Sequence, residues 1–116
     1  MKNNNVYVFT LTKVINGDTI EGYVDLGFDT FTKQRFRLLG IVAPSLRSRD
    51  KSEFERAKAA KMWLQARLIN KQIFLCSHKT PKFGKYLASL FVDGSDINKE
   101  LLTTGHAVKF GDKLNA

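Results

Sequence analysis

The 116-residue sequence is short of cysteine (one), proline (two) and histidine (two), and it has no long apolar run. Each shortage excludes a class of protein. A lone cysteine, Cys76, cannot close an internal disulfide, so the chain is not a small disulfide-stapled secreted scaffold. In the run Ile73-Phe74-Leu75-Cys76 it reads as a buried small apolar side chain in a reducing compartment. No helix N-terminus or nucleophile signal beside it argues for a reactive thiol. His78 and His106 lack the clustered spacing of a zinc site. No segment approaches the roughly 20 apolar residues of a membrane-spanning helix. The stretch Val6–Thr12 is too short and hydroxyl-rich for the core of a secretory signal. These features point to the cytoplasm and to no membrane partner. With no linker, repeat or low-complexity tract, residues 1–116 are expected to form one domain around a modest core.

Acidic residues are scarce in the middle of the chain. Between Phe31 and Val92 stand 14 lysines and arginines against 3 acids, whereas the two ends carry 5 basic and 8 acidic residues. Within a net charge of +8, this central block suggests a surface that faces a polyanion. Part of it (Lys51, Arg56, Lys58, Lys61 and Arg67) fits an ordinary solvated helix face. Composition alone leaves the two readings even.

The first half alternates as strands do. Val6–Leu11 runs on to Val14-Ile15, and Asn16-Gly17 signals a tight turn. A second strand is expected over Thr19–Leu26, a turn at Gly27-Phe28-Asp29, and a third strand from Phe31 to Ile41. In that strand Phe36 and Leu38 share the inner face and Arg35 and Arg37 the outer one. Pro44 ends it, and a polar loop Ser45–Asp50 follows. Ser52–Glu55 fits a capping box, and Phe54, Ala57, Lys61, Leu64 and Leu68 recur at helical spacing up to about Asn70, beside Ala60 and Trp63. Strands over Gln72–Cys76 and Tyr86–Val92 flank the loop His78–Gly84. A short helix Asp96–Thr103 is stopped by Gly105. Three strands, a helix, two strands and a helix is the order expected of an OB-fold, an order that small α+β folds of other topology can share. The expected OB-fold is an α+β chain with a five-stranded Greek-key barrel and two to three helices, an architecture that often binds oligonucleotides.

Several short signatures fall in order along this framework: Gly17-Asp18-Thr19, Phe36-Arg37-Leu38-Leu39, Pro44, Lys82-Phe83-Gly84-Lys85, and Asp93-Gly94 with Ile97-Asn98, Leu101 and Gly105. Together, from about Val6 to Lys109, they resemble the staphylococcal nuclease family. The C-terminal helix of its longer members has no counterpart after Phe110. The resemblance implies calcium-dependent cleavage of DNA and RNA phosphodiester bonds. Two aspartates and a backbone carbonyl would bind the metal, a glutamate would activate water, and two arginines would clamp the phosphate. A hard divalent ion wants several oxygens, phosphoryl chemistry is mostly positioning and charge neutralisation, and arginine offers phosphate a fork that lysine lacks.

Carried over residue by residue, the first metal aspartate is Asp18 and the first arginine Arg37. The family's Asp-Thr-Pro-Glu is here Val42-Ala43-Pro44-Ser45, so Val42 and Ser45 replace both carboxylates. The second arginine becomes Lys85. Asp18 alone is a weak metal site or none, and Ser45 has no basicity near neutral pH. Loss of a general base typically costs about 10²–10⁴-fold. The implied protein is a degenerate nuclease that needs no cofactor, or calcium if the site still works. Independently of that role, Asp18 also fits a turn and Arg37 an exposed strand.

Three functions follow. The first is a non-catalytic domain that binds single-stranded nucleic acid in a cleft of Arg35, Arg37, Arg47, Arg49, Lys82 and Lys85, with Phe83 offered for stacking. The second is a working or weakened nuclease whose metal site is rebuilt with Asp50, Glu53 or Glu21. The third is a module that binds a protein partner on a vestigial scaffold. Salt dependence separates the first from the third, and metal dependence separates the second from both.

Overall fold

A computed structural model describes residues 6–78 and 86–110. The elements run β1 (Val6–Asn16), β2 (Thr19–Asp25), β3 (Phe31–Leu38), β4 (Ile41–Val42), α1 (Lys51–Leu68), β5 (Ile73–His78), β6 (Tyr86–Val92), β7 (Ser95–Asp96), α2 (Ile97–Thr103) and β8 (Val108–Lys109). Antiparallel pairing links β3 to β2, β2 to β1, β1 to β5 and β5 to β6, and a parallel pairing of β3 with β6 closes the ring. Five strands thus make a closed mixed barrel with two helices, an α+β OB-fold.

Alternation along each strand fills the barrel. Phe36 and Leu38 point inward and are buried, joined by Ile20 and Val24 of β2, Ile73 and Leu75 of β5, and Ala88, Leu90 and Val92 of β6. Two register shifts in β1, at Leu11/Lys13 and Val14/Asn16, add the local coiling that closure requires. The turn Gly27-Phe28-Asp29 is present, with all three residues in left-handed backbone.

Four details differ from expectation. The third strand does not reach Ile41. It breaks at Leu39-Gly40, where Gly40 has φ +82, and the chain resumes as β4 paired with β8. Glycine reaches that left-handed conformation without the clash a Cβ would bring. The cap of α1 is Asp50, whose carboxylate accepts from the Ser52 amide, and not a box at Ser52. The buried stripe of α1 is Ala57, Ala60, Leu64 and Leu68. Phe54 stays half-buried, with the Lys58 ammonium 5.7 Å above its ring. Cys76 is also half-buried, because Ile73 and Leu75 take the inner face of β5 and leave it the outer one.

The seam between β3 and β6 is short: Phe36, Arg37 and Leu38 beside Tyr86, Leu87 and Ala88. Buried Asn98, at the start of α2, reinforces it. Its amide donates to the carbonyls of Leu39 and Ala88 at 3.0 Å each, and its oxygen accepts from Leu90 N at 3.2 Å. The second helix begins at Ile97, and Asp96, expected as its first residue, is its N-cap, with a side chain that accepts from Lys99 N. No helix among the described residues is long and apolar enough to cross a membrane.

Candidate functional site

The β1–β2 hairpin turns at Gly17-Asp18. Gly17 is not in left-handed backbone; what the turn requires is the absence of a Cβ. A methyl there would lie 2.8 Å from the Cβ atoms of both Ala43 and Ala60. Glycine therefore lets the hairpin pack directly on α1 and on the segment after β4. The turn is tied by Asn16 Oδ1, which accepts from Asp18 N at 2.9 Å.

That packing sets Asp18 in place. Its side chain is buried, with Oδ1 accepting from Thr19 Oγ1 at 2.9 Å and Oδ2 from Ala43 N at 2.8 Å. Arg37 Nη2 stands 3.5 Å from the same Oδ2, because Thr19 and Arg37 are register partners across β2 and β3. Asp18 and Arg37 are therefore one unit. The turn role and the strand role that the sequence offers for them separately are both real and are joined here.

On the outer face of β3, Arg35 pairs with Glu21 at 3.1 Å, and Lys33 reaches the other oxygen of Glu21 at 3.5 Å. The Arg35 hydrogen bond, backed by the charges of Lys33 and Arg35, holds the Glu21 carboxyl below its ordinary range. After Pro44, the loop is built from serine turns. Ser45 Oγ accepts from Arg47 N, and Ser48 Oγ from Asp50 N, both at 3.0 Å. Glu53 turns back from the first turn of α1, and its carboxylate accepts from Ser45 N at 3.4 Å.

Arg35, Arg37 and Arg47 line one open groove of about 640 Å³, together with Ser45, Leu46, Asn16, Thr19, Gln34 and Tyr86. The lining comes from the end of β1, the start of β2, β3, the first residue of β6 and the loop after β4. Arg49 does not line it: two residues beyond Arg47 the chain already turns into the cap of α1. Lys82, Phe83 and Lys85 lie outside the described residues.

A family-wide profile described as Staphylococcal nuclease homologue matches residues 35–115. The chain belongs to the staphylococcal nuclease homologue family. The match begins at Arg35, so the hairpin that carries Asp18 is joined to it by the barrel pairing and not by the profile. A search of curated proteins finds no match.

Among the described residues, the side chains around Asp18 fall short of the donor set that calcium, the ion associated with this nuclease scaffold, takes. Hard divalent ions take six or more oxygens. Asp18 supplies one carboxylate whose two oxygens are already engaged by Thr19, Ala43 and Arg37, and Val42, adjacent to Ala43, has no donor atom. Of the acids offered for a rebuilt site, Asp50 accepts from Ser52 N at the start of α1, Glu53 accepts from Ser45 N, and Glu21 pairs with Arg35. Among the described residues no three His, Cys, Asp or Glu side chains gather into a possible metal cluster.

Ile15, Asn16, Thr19, Gln34, Leu46 and Tyr86 line the groove without a signal in the sequence that marks them as site residues. Leu46 is masked there by its polar neighbours. Tyr86 stood at the start of an apolar run, and only its two-residue step from Ala88 marks it as the outermost member of the barrel face.

Proposed function

We propose that this domain binds nucleic acid through the Arg35–Arg37–Arg47 groove and has lost most of the hydrolytic capacity of its scaffold. The observation that carries the reading is that three arginines, and no aspartate or glutamate, line one groove among the described residues. Arginine forks match phosphate oxygens, and binding gains from the release of counterions condensed on the polyanion. Hydrolysis needs more: a metal held by several oxygens and a base to deprotonate water. Val42 and Ser45 supply neither. Lys82, Phe83 and Lys85 would extend the same basic surface, and the cytoplasm is the compartment where such a domain would meet its ligand.

The test is a paired assay on purified protein. Binding to fluorescent DNA and RNA oligonucleotides is measured across salt, and cleavage is measured with calcium, magnesium or chelator. The expected result is salt-sensitive binding in roughly the micromolar range at physiological salt, with no metal-dependent cleavage. Cleavage that requires calcium and disappears in Asp18→Ala would establish an active nuclease instead. No binding even at low salt would leave the protein-interaction function.

A further inference from the structure

Along β6 the inward-facing residues are Val92, Leu90 and Ala88, all fully buried. One more step of two gives Tyr86, on the same face but at the barrel mouth, where it is 48% exposed. Its ring rests on buried Phe36, its register partner across the seam, with centroids 6.1 Å apart and planes at 57°. Phe36 in turn meets Phe9 edge-on at 5.9 Å. The tyrosine ring is therefore backed by a fixed aromatic column in the core, while its exposed part borders the groove that Arg35, Arg37 and Arg47 line.

We infer that Tyr86 is a stacking platform for one unpaired base, and that it makes the groove prefer single strands to duplex. The inference rests on the nucleic-acid reading above and deepens it. Arginines fix phosphates without regard to base or strandedness. A flat ring beside them adds a contact that only a splayed base can use, because bases in a duplex already stack on their neighbours. Phe36 holds the ring in position beforehand, so little freedom is lost when a base lands on it. The contact is indifferent to base identity, since every base has a π-face, and it serves DNA and RNA alike.

The experiment compares the full chain with Tyr86→Phe, Tyr86→Leu and Tyr86→Ala. Each is titrated by fluorescence anisotropy with oligothymidylate, oligouridylate and a duplex of the same length, at several salt concentrations. Thermal melting of each variant establishes that it is folded, and leucine keeps an apolar cover over Phe36 should alanine unfold the barrel mouth. Tyr86→Phe is expected to keep single-strand affinity, and Tyr86→Leu to lose about tenfold, the scale of one base–aromatic stack. Duplex affinity and the salt slope should not move, since no phosphate contact is removed. A folded Tyr86→Leu that binds single strands as tightly as the parent would overturn the inference while leaving the groove intact. Equal losses for single strands and duplex would also overturn it. A parent that binds neither removes the groove reading and this inference together.

Discussion

The Oδ2 atom of Asp18 is shared between Ala43 N at 2.8 Å and Arg37 Nη2 at 3.5 Å. One carboxylate thus joins the hairpin turn, the segment after β4 and the outer face of β3. In this chain it does the work of a bracket. Asp18→Ala leaves the Ala43 amide without its acceptor, and a buried donor so orphaned costs about 1–3 kcal/mol. Urea unfolding is expected to show that loss, while nucleic-acid affinity is held or raised because Arg37 is released toward phosphate. Unchanged stability in this variant would mean that the bracket carries no strain of the fold.

Calcium follows from the same geometry. At millimolar calcium the melting temperature of the parent should not rise, whereas a site filled at a hundred times its dissociation constant would add about 2.7 kcal/mol. Val42→Asp combined with Ser45→Glu should introduce a calcium-dependent rise. A rise in the parent that Asp18→Ala abolishes would refute the mismatch between ion and donors.

The arginines can be ranked by position. Removing Arg47 should lower the slope of log affinity against log salt by about one phosphate contact. Arg49→Ala should change it less, and Lys58→Ala, on the helix face over Phe54, least of all. Glu21→Gln should tighten binding, because Glu21 occupies Arg35 and adds negative charge beside the groove. Equal slopes for all the single arginine and lysine variants would show that binding is diffuse and not centred on the groove.

Acid sensitivity is expected to track the link between the helices. Arg67 of α1 meets both carboxylate oxygens of Glu100 of α2, at 2.8 and 3.2 Å. The Arg67 hydrogen bond keeps the Glu100 carboxyl below its ordinary range. A carboxylate lowered in the native state contributes stability above its unfolded pKa, about 4.3, and loses it as pH falls through the lower native value. Denaturation midpoints should therefore drop below about pH 4.3, and Arg67→Met should flatten part of that limb. An identical acid limb in parent and variant would assign the loss to other carboxylates.

Gly17 is the test of placement. Gly17→Ala forces the hairpin off Ala43 and Ala60, so it should destabilise the fold by about 1–3 kcal/mol, the usual cost of overpacking. It should also lengthen the Asp18–Ala43 hydrogen bond, visible as a shift of the Ala43 amide resonance. An unshifted Ala43 resonance in a folded Gly17→Ala protein would show that the hairpin does not set the bracket.

Much of the barrel is legible in the sequence because strand alternation is local: Phe36 and Leu38 inward and Arg35 and Arg37 outward follow from a period of two. The ends of elements are less legible. Asp50 and Ser52 are both good caps, and only the backbone path after Ser48 selects Asp50. Gly40 breaks the third strand because β4 must leave β3 to meet β8, a pairing between residues far apart in sequence. The groove was half visible. Arg37 and Arg47 could be nominated from order along the chain, but the Asp18–Arg37 pair and the role of Tyr86 depend on strand register. Arg49 is two residues from Arg47 in sequence but is not among the residues that line the groove.

The parallel seam of β3 with β6 joins residues about 50 positions apart through only three register pairs, the fewest of the barrel's five pairings, so few contacts offset the entropy of closing that loop. Such non-local pairings dominate folding times. A chain with β1, β2 and β3 already joined carries Arg35 and Arg37 but has no Tyr86 beside them and no groove. Ligand binding is then a property of the completed barrel alone. A bound strand should lengthen the lifetime of the folded protein by slowing its unfolding, without hastening its formation.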